Sequence, residues 1–202
     1  MPAMKVVVAT GNRGKLAEFE RLLVPLGLEC VSQGELGIGE VDETGLSFVE
    51  NALLKARHAS RLTGLPALAD DSGLCVDALD GAPGLYSARY AGALADSAAN
   101  IDKLLGELDG RPEAERGAYF HAVIVLLRNA EDPRPLIAEG SWHGSILEAP
   151  RGAGGFGYDP VFLDPALGKS AAELDPDTKA RISHRGRAVE ALRARLAEWR
   201  AG

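Results

Sequence analysis

The chain has 202 residues, of which 46% are hydrophobic and 25% are charged, and its formal net charge is −7. This composition excludes a largely disordered chain, and the length favours one domain over two large ones. The negative charge argues against binding of a nucleic acid polymer, because that affinity depends on neutralising many phosphates with Lys and Arg. A small anionic ligand that brings its own metal ion is compatible with the charge.

Nothing in the sequence predicts a membrane span or a secretory signal. No segment approaches the roughly 20 apolar residues needed to cross a bilayer, and residues 1–5 run directly into the strand-like residues 6–8. The two cysteines, Cys30 and Cys75, show no zinc-binding spacing, so we expect both to be buried in a reducing compartment. We therefore predict a cytoplasmic protein that binds neither membrane nor nucleic acid.

Hydrophobic periodicity and turn residues predict alternating strands and helices. Ser47 and Glu50 form the pattern of a capping box, while Asp96 and Ser183 are placed to cap later helices. In chain order the predicted elements are strand 6–10, helix 15–26, helix 47–62, strands 65–69 and 74–78, helix 96–108, strands 118–128 and 135–148, a short helix from 175 and a final helix from 183. The last two strands read as an antiparallel pair, so the predicted sheet is mixed.

Two adjacent carboxylates, Asp70 and Asp71, lie between two apolar runs, where they are predicted to end a buried strand. Carboxylate oxygens are the ligands that Mg²⁺ prefers, although Asp, Ser and Gly in this order are also ordinary turn residues. Glu43, beside Asp42, supplies a further carboxylate, but acidic residues before a helix also complement its dipole. The following helix carries three polar residues that either join this site or form a solvated face: Glu50, Asn51 and Lys55.

A glycine-containing loop over residues 10–15 joins the first strand to the first helix. Its glycines let the backbone approach a ligand, and the amides at the helix start, together with Lys15, favour an anion. The loop is not a Walker A motif, because two residues rather than four separate its glycines and Leu16 follows the lysine. It predicts phosphate binding without an ATPase activity, and the alternative is a turn with a solvated lysine.

Two later segments predict contacts with the rest of a nucleotide. Residues 154–160 embed Phe156 and Tyr158 among three glycines, which allows a base to stack on a ring. The alternative is a hairpin whose Phe156 fills the core. A basic cluster surrounds the start of the final helix, where arginine can bind phosphate or a base edge with paired donors. Its members are Lys179, Arg181, His184, Arg185 and Arg187.

In this order the segments resemble the inosine triphosphate pyrophosphatase family, whose members hydrolyse the non-canonical purine nucleotides dITP, ITP and XTP. The resemblance spans essentially the whole chain and rests on ATGNRGK at 9–15, ETG at 43–45, ENA at 50–52, ADDSGL at 69–74, YSARY at 86–90, GGFGYDP at 154–160 and SHRG at 183–186. It implies an α/β fold of two lobes around a long mixed β-sheet with flanking helices, with residues 1–202 as one bilobed domain. It also implies an active-site cleft between the lobes, Mg²⁺ dependence and a homodimer.

The resemblance also assigns roles residue by residue. The triphosphate is held by Thr10, Gly11, Asn12, Arg13, Gly14 and Lys15. Glu43 and Asp71 bind the metal with Asp70 in support, while Asp71 and Lys15 are catalytic and Asp71 accepts the proton of the attacking water. The other nucleotide contacts are Ser72, Phe156, Gly157, Tyr158, Asp159, Lys179, His184 and Arg185, of which the last two read the 6-oxo edge of the purine.

The predicted function is hydrolysis of dITP, ITP and XTP to the nucleoside monophosphate and pyrophosphate, which removes deaminated purines from the nucleotide pool. A donor facing a 6-oxo group would meet another donor in adenine, and such mismatches discriminate by about 10⁴-fold. Two alternatives stay open: a nucleotide pyrophosphatase with another base preference, such as modified pyrimidines, and a non-catalytic nucleotide sensor.

Overall fold

The structure, a computed structural model, describes residues 3–94 and 96–201. The strands among them are β1 (Met4–Val8), β2 (Leu28–Ser32), β3 (Ala67–Val76), β4 (Gly117–Leu127), β5 (Leu136–Ile146), β6 (Phe162–Asp164) and β7 (Lys169–Ser170). They form one sheet in the order β2-β1-β3-β4-β5-β6-β7. β1 pairs in parallel with β2 and β3, whereas β6 pairs antiparallel with β5 and β7. The predicted α/β fold with a mixed sheet is confirmed.

The predicted helices are confirmed, with small shifts at their ends. The helices of the described residues are α1 (Arg13–Leu23), α2 (Phe48–Thr63), α3 (Ser97–Glu107), α4 (Pro176–Ile182) and α5 (His184–Ala201). α1 stops at Leu23 rather than at the predicted Leu26, and a 3-10 turn containing Pro25 follows. Proline has no amide hydrogen and clashes with the preceding turn, which is why the helix does not continue.

The prediction of two strands on either side of a turn at residues 70–73 is wrong. β3 runs unbroken from Ala67 to Val76, and every residue in it except the half-buried Ser72 is buried. Asp70 and Asp71 therefore lie within a buried strand instead of ending one. Local propensity favoured a turn here, but partners from distant segments satisfy the two carboxylates and allow the strand to continue.

The chain divides into two compact units, of which the first comprises Met1–Asp71, Ala122–Gly140 and His184–Gly202. In this unit α1 and α5 pack on one face of the sheet, where Phe19 and Leu192 contact a cluster that includes Leu68. α2 packs on the other face, where its alanines join a cluster that includes Ala67 and Ala69. The residues of β3 thus alternate between two helical layers, as the two-residue period of a strand requires.

The second unit comprises Ser72–His121 and Ser141–Ser183 and has its own aromatic core. The centroid of the Phe162 ring lies 4.6 Å from the centroid of the Phe120 ring and 4.9 Å from that of the Trp142 ring. The indole nitrogen of Trp142 donates to Asp164 Oδ2 at 2.8 Å, so this large side chain is buried without an unsatisfied polar atom.

Neither cysteine of the chain forms a disulfide. Cys75 is buried as predicted, whereas Cys30 is only half-buried, so the expectation that both are buried holds for one of them. None of the helices in residues 3–94 and 96–201 has the length and apolar character needed to cross a membrane.

Side-chain caps account for where several helices begin, and the caps at Ser47 and Asp96 are as predicted. The side chains of Ser47, Asp96 and Asp175 accept hydrogen bonds from the amides of Glu50, Ala99 and Thr178, respectively. At α2 the returning contact differs from the predicted capping box, because the Glu50 carboxylate accepts from the Leu46 amide and from the Ser47 hydroxyl. α5 begins directly after Ser183, at the predicted position.

Replacing Ser47 with Ala should lower the free energy of unfolding by about 1 kcal/mol, because the first turn of α2 loses its side-chain cap. Urea denaturation at pH 7 measures this change. Ser97→Ala, at the exposed first position of α3, serves as the matched control and should stay within about 0.5 kcal/mol of the wild type. Equal effects of the two substitutions would contradict the capping role.

Candidate active site

The acidic pair lies just beyond the carboxyl end of β1. β1 pairs with β3 at Val7 opposite Ala67 and at Val8 opposite Leu68, and the Ala9 amide then donates to the Leu68 carbonyl at 2.8 Å. β3 continues past this point while the β1 chain turns toward α1. In α/β sheets, ligands bind at the carboxyl ends of parallel strands. The position of the pair therefore favours a binding site.

Asp70 shares its face of the sheet with Leu68, in the layer of α1 and α5. Lys15 Nζ lies 3.3 Å from Asp70 Oδ1, and Arg185 Nη2 donates to Asp70 Oδ2 at 3.0 Å. The Nη1 group of the same arginine donates to Glu18 of α1. Although burial opposes ionisation, the charges of Lys15 and Arg185 hold the pKa of Asp70 far below its usual value. Asp70 is therefore a permanent anion in this fold.

Asp71 points to the opposite face, toward α2. Lys55 Nζ donates to Asp71 Oδ1 at 2.7 Å and to Glu43 Oε1 at 2.9 Å, and Asn51 Nδ2 donates to Asp71 Oδ2 at 3.3 Å. Burial raises the pKa of Asp71 above its ordinary value, although Lys55 opposes the shift. A carboxylate with a raised pKa is a stronger base, which suits a group that accepts a proton from water.

Lys55 and Asn51 were noted in the sequence only as polar residues that either join the site or face solvent. The structure turns both toward Asp71, because residues four apart on a helix share a face. Asn51 also accepts a hydrogen bond from the Gly45 amide at 2.8 Å, which fixes the segment that carries Glu43. Sequence reasoning missed Glu18, although its position three residues after Lys15 places the two on one side of α1.

The carboxylates of Asp71 and Glu43 converge on one cationic position, which Lys55 Nζ defines. Two carboxylates fit Mg²⁺, because this ion takes one or two from a protein and completes its octahedron with water and phosphate oxygens. No group of three or more His, Cys, Asp or Glu side chains suited to a metal occurs in the described part of the chain. Asp70 has a cation near each of its oxygens, which favours its supporting role over direct ligation.

The predicted phosphate loop forms the start of α1. The Asn12 side chain caps the helix by accepting from the Lys15 amide at 3.0 Å, and the Asn12 amide donates to Thr10 Oγ1 at 3.1 Å. Gly11, Asn12 and Arg13 are exposed, while Gly14 is half-buried. A helix leaves its first four amides without partners inside the helix, and Asn12 satisfies one of them. The loop therefore presents amides and the Lys15 charge at one place.

The second unit holds another group of predicted contacts. Asp159 Oδ2 accepts hydrogen bonds from the Phe156 amide at 2.8 Å and from Lys179 Nζ at 2.6 Å, and Asp159 and Lys179 are both buried. The same ammonium lies 4.9 Å from the centre of the half-buried Phe156 ring. Gly155 has φ +70°, and a Cβ there would lie 2.0 Å from the Asp159 carboxylate. This pair therefore fixes the loop that carries Phe156.

The remaining predicted contacts differ in their surroundings. Tyr158 is buried in the core of the second unit and its hydroxyl donates to the Ser87 carbonyl at 2.8 Å, which favours a structural role over contact with a base. Gly157 is half-buried and has φ +59°, and Ser72 is the half-buried residue of β3. His184 and Arg185 are the first residues of α5, and both are buried.

The two neighbouring carboxylates should respond in opposite ways to loss of charge. Asp70→Asn leaves two buried cations without their carboxylate partner, so it should lower the free energy of unfolding at pH 7 by about 3–5 kcal/mol. Asp71→Asn removes a charge that burial disfavours, so it should leave stability unchanged or raise it. Denaturant titration of both variants measures the difference.

The pH dependence supplies a second readout for Asp70. Because its pKa is depressed in the fold, its stabilisation is present above the unfolded-state pKa of about 3.9 and is lost as the pH falls through the folded value. The difference in the free energy of unfolding between wild type and Asp70→Asn should therefore become smaller below about pH 4. A gap that stays constant with pH, or an equal loss in Asp71→Asn, would contradict the assignment.

Comparison with known proteins places the chain in a family. The family model described as the Ham1 family matches residues 6–195. A dITP/XTP pyrophosphatase of Xanthomonas oryzae pv. oryzae (strain KACC10331 / KXO85) is 63% identical over 191 residues, which cover 95% of this chain and 96% of that protein. Another dITP/XTP pyrophosphatase, from Yersinia pseudotuberculosis serotype I (strain IP32953), is 58% identical over 188 residues, 93% of this chain and 95% of that protein.

A solved structure of a HAM1 protein from Coxiella burnetii superimposes with a TM-score of 0.87 at 50% identity, covering 96% of this chain and 99% of that chain. A second, a nucleoside-triphosphatase / dITP/XTP pyrophosphatase from Mycobacterium abscessus, has a TM-score of 0.74 at 47% identity, covering 94% and 98% of the two chains. The family predicted from the motifs is therefore confirmed, and this chain belongs to the Ham1 family.

Proposed function

We propose that this chain hydrolyses dITP, XTP and ITP to the nucleoside monophosphate and pyrophosphate, and so removes deaminated purines from the nucleotide pool. The relatives named dITP/XTP pyrophosphatase support this function at 58–63% identity. The observation that carries the chemistry is the convergence of Asp71 and Glu43 on one cationic position. A buried base, a second carboxylate and a phosphate loop on adjacent segments match what phosphoanhydride cleavage requires.

The first requirement is neutralisation of the triphosphate. Water attacks the α-phosphorus while pyrophosphate leaves, so negative charge on the phosphate oxygens must be balanced throughout. The exposed loop over Thr10–Lys15 offers amides at the start of α1, and Lys15 adds a full positive charge. Asp70 holds Lys15 in place, because its ionised carboxylate pairs with Lys15 Nζ. The loop is thereby preorganised to bind phosphate oxygens.

The second requirement is an oriented and activated water. Asp71 and Glu43 would hold Mg²⁺, which when bound supplies charge neutralisation and makes a coordinated water more acidic. Asp71 accepts the proton of the attacking water as the general base. Asn51 donates to Oδ2 of Asp71 and so limits rotation of the carboxylate that acts as the base.

The third requirement is selection of the base. The Phe156 ring offers a stacking surface, which contributes about 1–3 kcal/mol per base. The Asp159–Lys179 pair fixes the loop that carries this ring. His184 and Arg185 read the 6-oxo group, so adenine would place a donor against a donor and leave buried groups unpaired.

The proposal extends to assembly and location. We propose a homodimer, which the resemblance implies, and a cytoplasmic protein, which the two free thiols support because reducing compartments keep cysteines unpaired. Size-exclusion chromatography with light scattering tests the dimer, and elution at the mass of one chain would contradict it.

The reaction itself is tested by incubating the purified chain with Mg²⁺ and each nucleoside triphosphate, including modified pyrimidines. We expect pyrophosphate from dITP, ITP and XTP, with little turnover of dATP. Asp71→Asn should lower kcat by at least about 10²-fold, because a positioned base contributes 10²–10⁴-fold. Binding in Mg²⁺ without any product would support the sensor, release of orthophosphate would place the cut at another bond, and preferred cleavage of a pyrimidine would change the substrate class.

Removal of divalent ions should abolish turnover, and added Mg²⁺ should restore it. Glu43→Gln should raise the Mg²⁺ concentration for half-maximal activity about tenfold, because it removes one of two charged ligands. Asp42→Asn, at the exposed neighbouring position, is the matched control. Unchanged Mg²⁺ dependence in Glu43→Gln would contradict its role, and a shift in Asp42→Asn would assign ligation to that residue instead.

A further inference from the structure

Gly140 lies in β5 within the first unit, and its backbone touches the first turn of α5. A Cβ built on Gly140 would lie 2.2 Å from the His184 carbonyl oxygen, 2.5 Å from the Ala188 amide nitrogen and 2.9 Å from the Arg187 Cβ. Non-bonded carbon atoms pack at about 3.5–4.0 Å, so none of these contacts is possible without movement. These three nearest atoms all belong to residues 184–188.

Glycine is required at position 140 because there is no room for a side chain, and not because of its backbone conformation. Gly140 has no positive φ, so an alanine is able to adopt its backbone angles without strain. Two of the three atoms in the way are backbone atoms, which do not rotate aside as the end of a long side chain would. A residue with a side chain at position 140 must therefore move either β5 or the start of α5.

The two backbone groups at Gly140 are four residues apart in α5. An α-helix joins the carbonyl of one residue to the amide of the fourth residue after it, so these are the groups of one hydrogen bond in the first turn of α5, which begins at His184. A methyl group at position 140 would thus intrude on the turn that carries His184 and Arg185. The Arg185 side chain cannot shift without weakening its ion pair, because it is buried and its Nη2 lies 3.0 Å from Asp70 Oδ2.

We infer that Gly140 is a positioning residue that sets base selectivity, because its bare backbone seats the first turn of α5 and so fixes His184 and Arg185. This inference rests on the proposed function, in which those two side chains read the 6-oxo group. Asp71 lies on β3, and its partners are Lys55 of α2 and, through that lysine, Glu43 of the segment before α2. Displacing the start of α5 therefore changes the reading of the base more than the activation of water.

The test compares kcat and KM for dITP and dATP in wild type, Gly140→Ala and a matched control. The control is Gly106→Ala in α3, where an added Cβ meets nothing within 4 Å. In Gly140→Ala we expect the ratio of kcat/KM for dITP to that for dATP to fall at least about tenfold, since a misplacement of about 1 Å costs up to 10²-fold. The control should keep the wild-type ratio, and pyrophosphate release should persist in both.

The experiment separates failure of the inference from failure of the proposed function. A folded Gly140→Ala chain that keeps the wild-type ratio of kcat/KM for dITP to that for dATP overturns the inference. A wild type that releases no pyrophosphate from dITP overturns the proposed function instead. If Gly140→Ala does not fold, Arg187→Gly and Arg187→Ala give a second test, because both remove the guanidinium of this exposed residue and only Arg187→Gly removes the Cβ nearest to position 140. A several-fold lower selectivity in Arg187→Gly than in Arg187→Ala supports the inference, and equal ratios in the two variants overturn it.

Discussion

Successive side chains of a β-strand point to opposite faces, and this constraint assigns the two adjacent carboxylates of β3 to different layers. Asp70 enters the layer of α1 and α5, where Lys15 and Arg185 keep it ionised. Asp71 enters the α2 layer, where burial outweighs its lysine partner and raises its pKa. Two identical side chains, one peptide bond apart, thus acquire opposite acid–base properties from their surroundings.

Burial of so many charges is tolerated because each has a partner on another element. Moving an ion out of water costs several kcal/mol, and only close opposite charges and hydrogen bonds offset that cost. Asp70 joins β3 to α1 through Lys15 and to α5 through Arg185. The seating of α5 on β5 therefore has electrostatic consequences as well as apolar ones, since a small shift would separate a buried arginine from its carboxylate.

In the second unit, a buried ion pair likewise fixes a loop. Asp159 accepts from the Phe156 amide and from Lys179, so one buried carboxylate fixes an aromatic ring and a cation together. Gly155 makes room for that carboxylate and supplies a left-handed backbone. The sequence suggested Phe156 as the alternative core residue of this loop, but the tertiary contacts place Tyr158 in the core and leave Phe156 half-buried beside an ammonium group.

The sequence by itself determined the helices, their caps at Ser47 and Asp96, the mixed sheet and the family, because these depend on local periodicity and on motifs in a fixed order. It did not determine that β3 continues through an Asp-Asp-Ser-Gly segment whose local preference is a turn. Nor did it show that Lys55 faces Asp71 or that Arg185 reaches Asp70 across 115 residues of chain. Only the tertiary structure decided these points, because the partners that satisfy a buried charge come from distant segments and leave no local pattern.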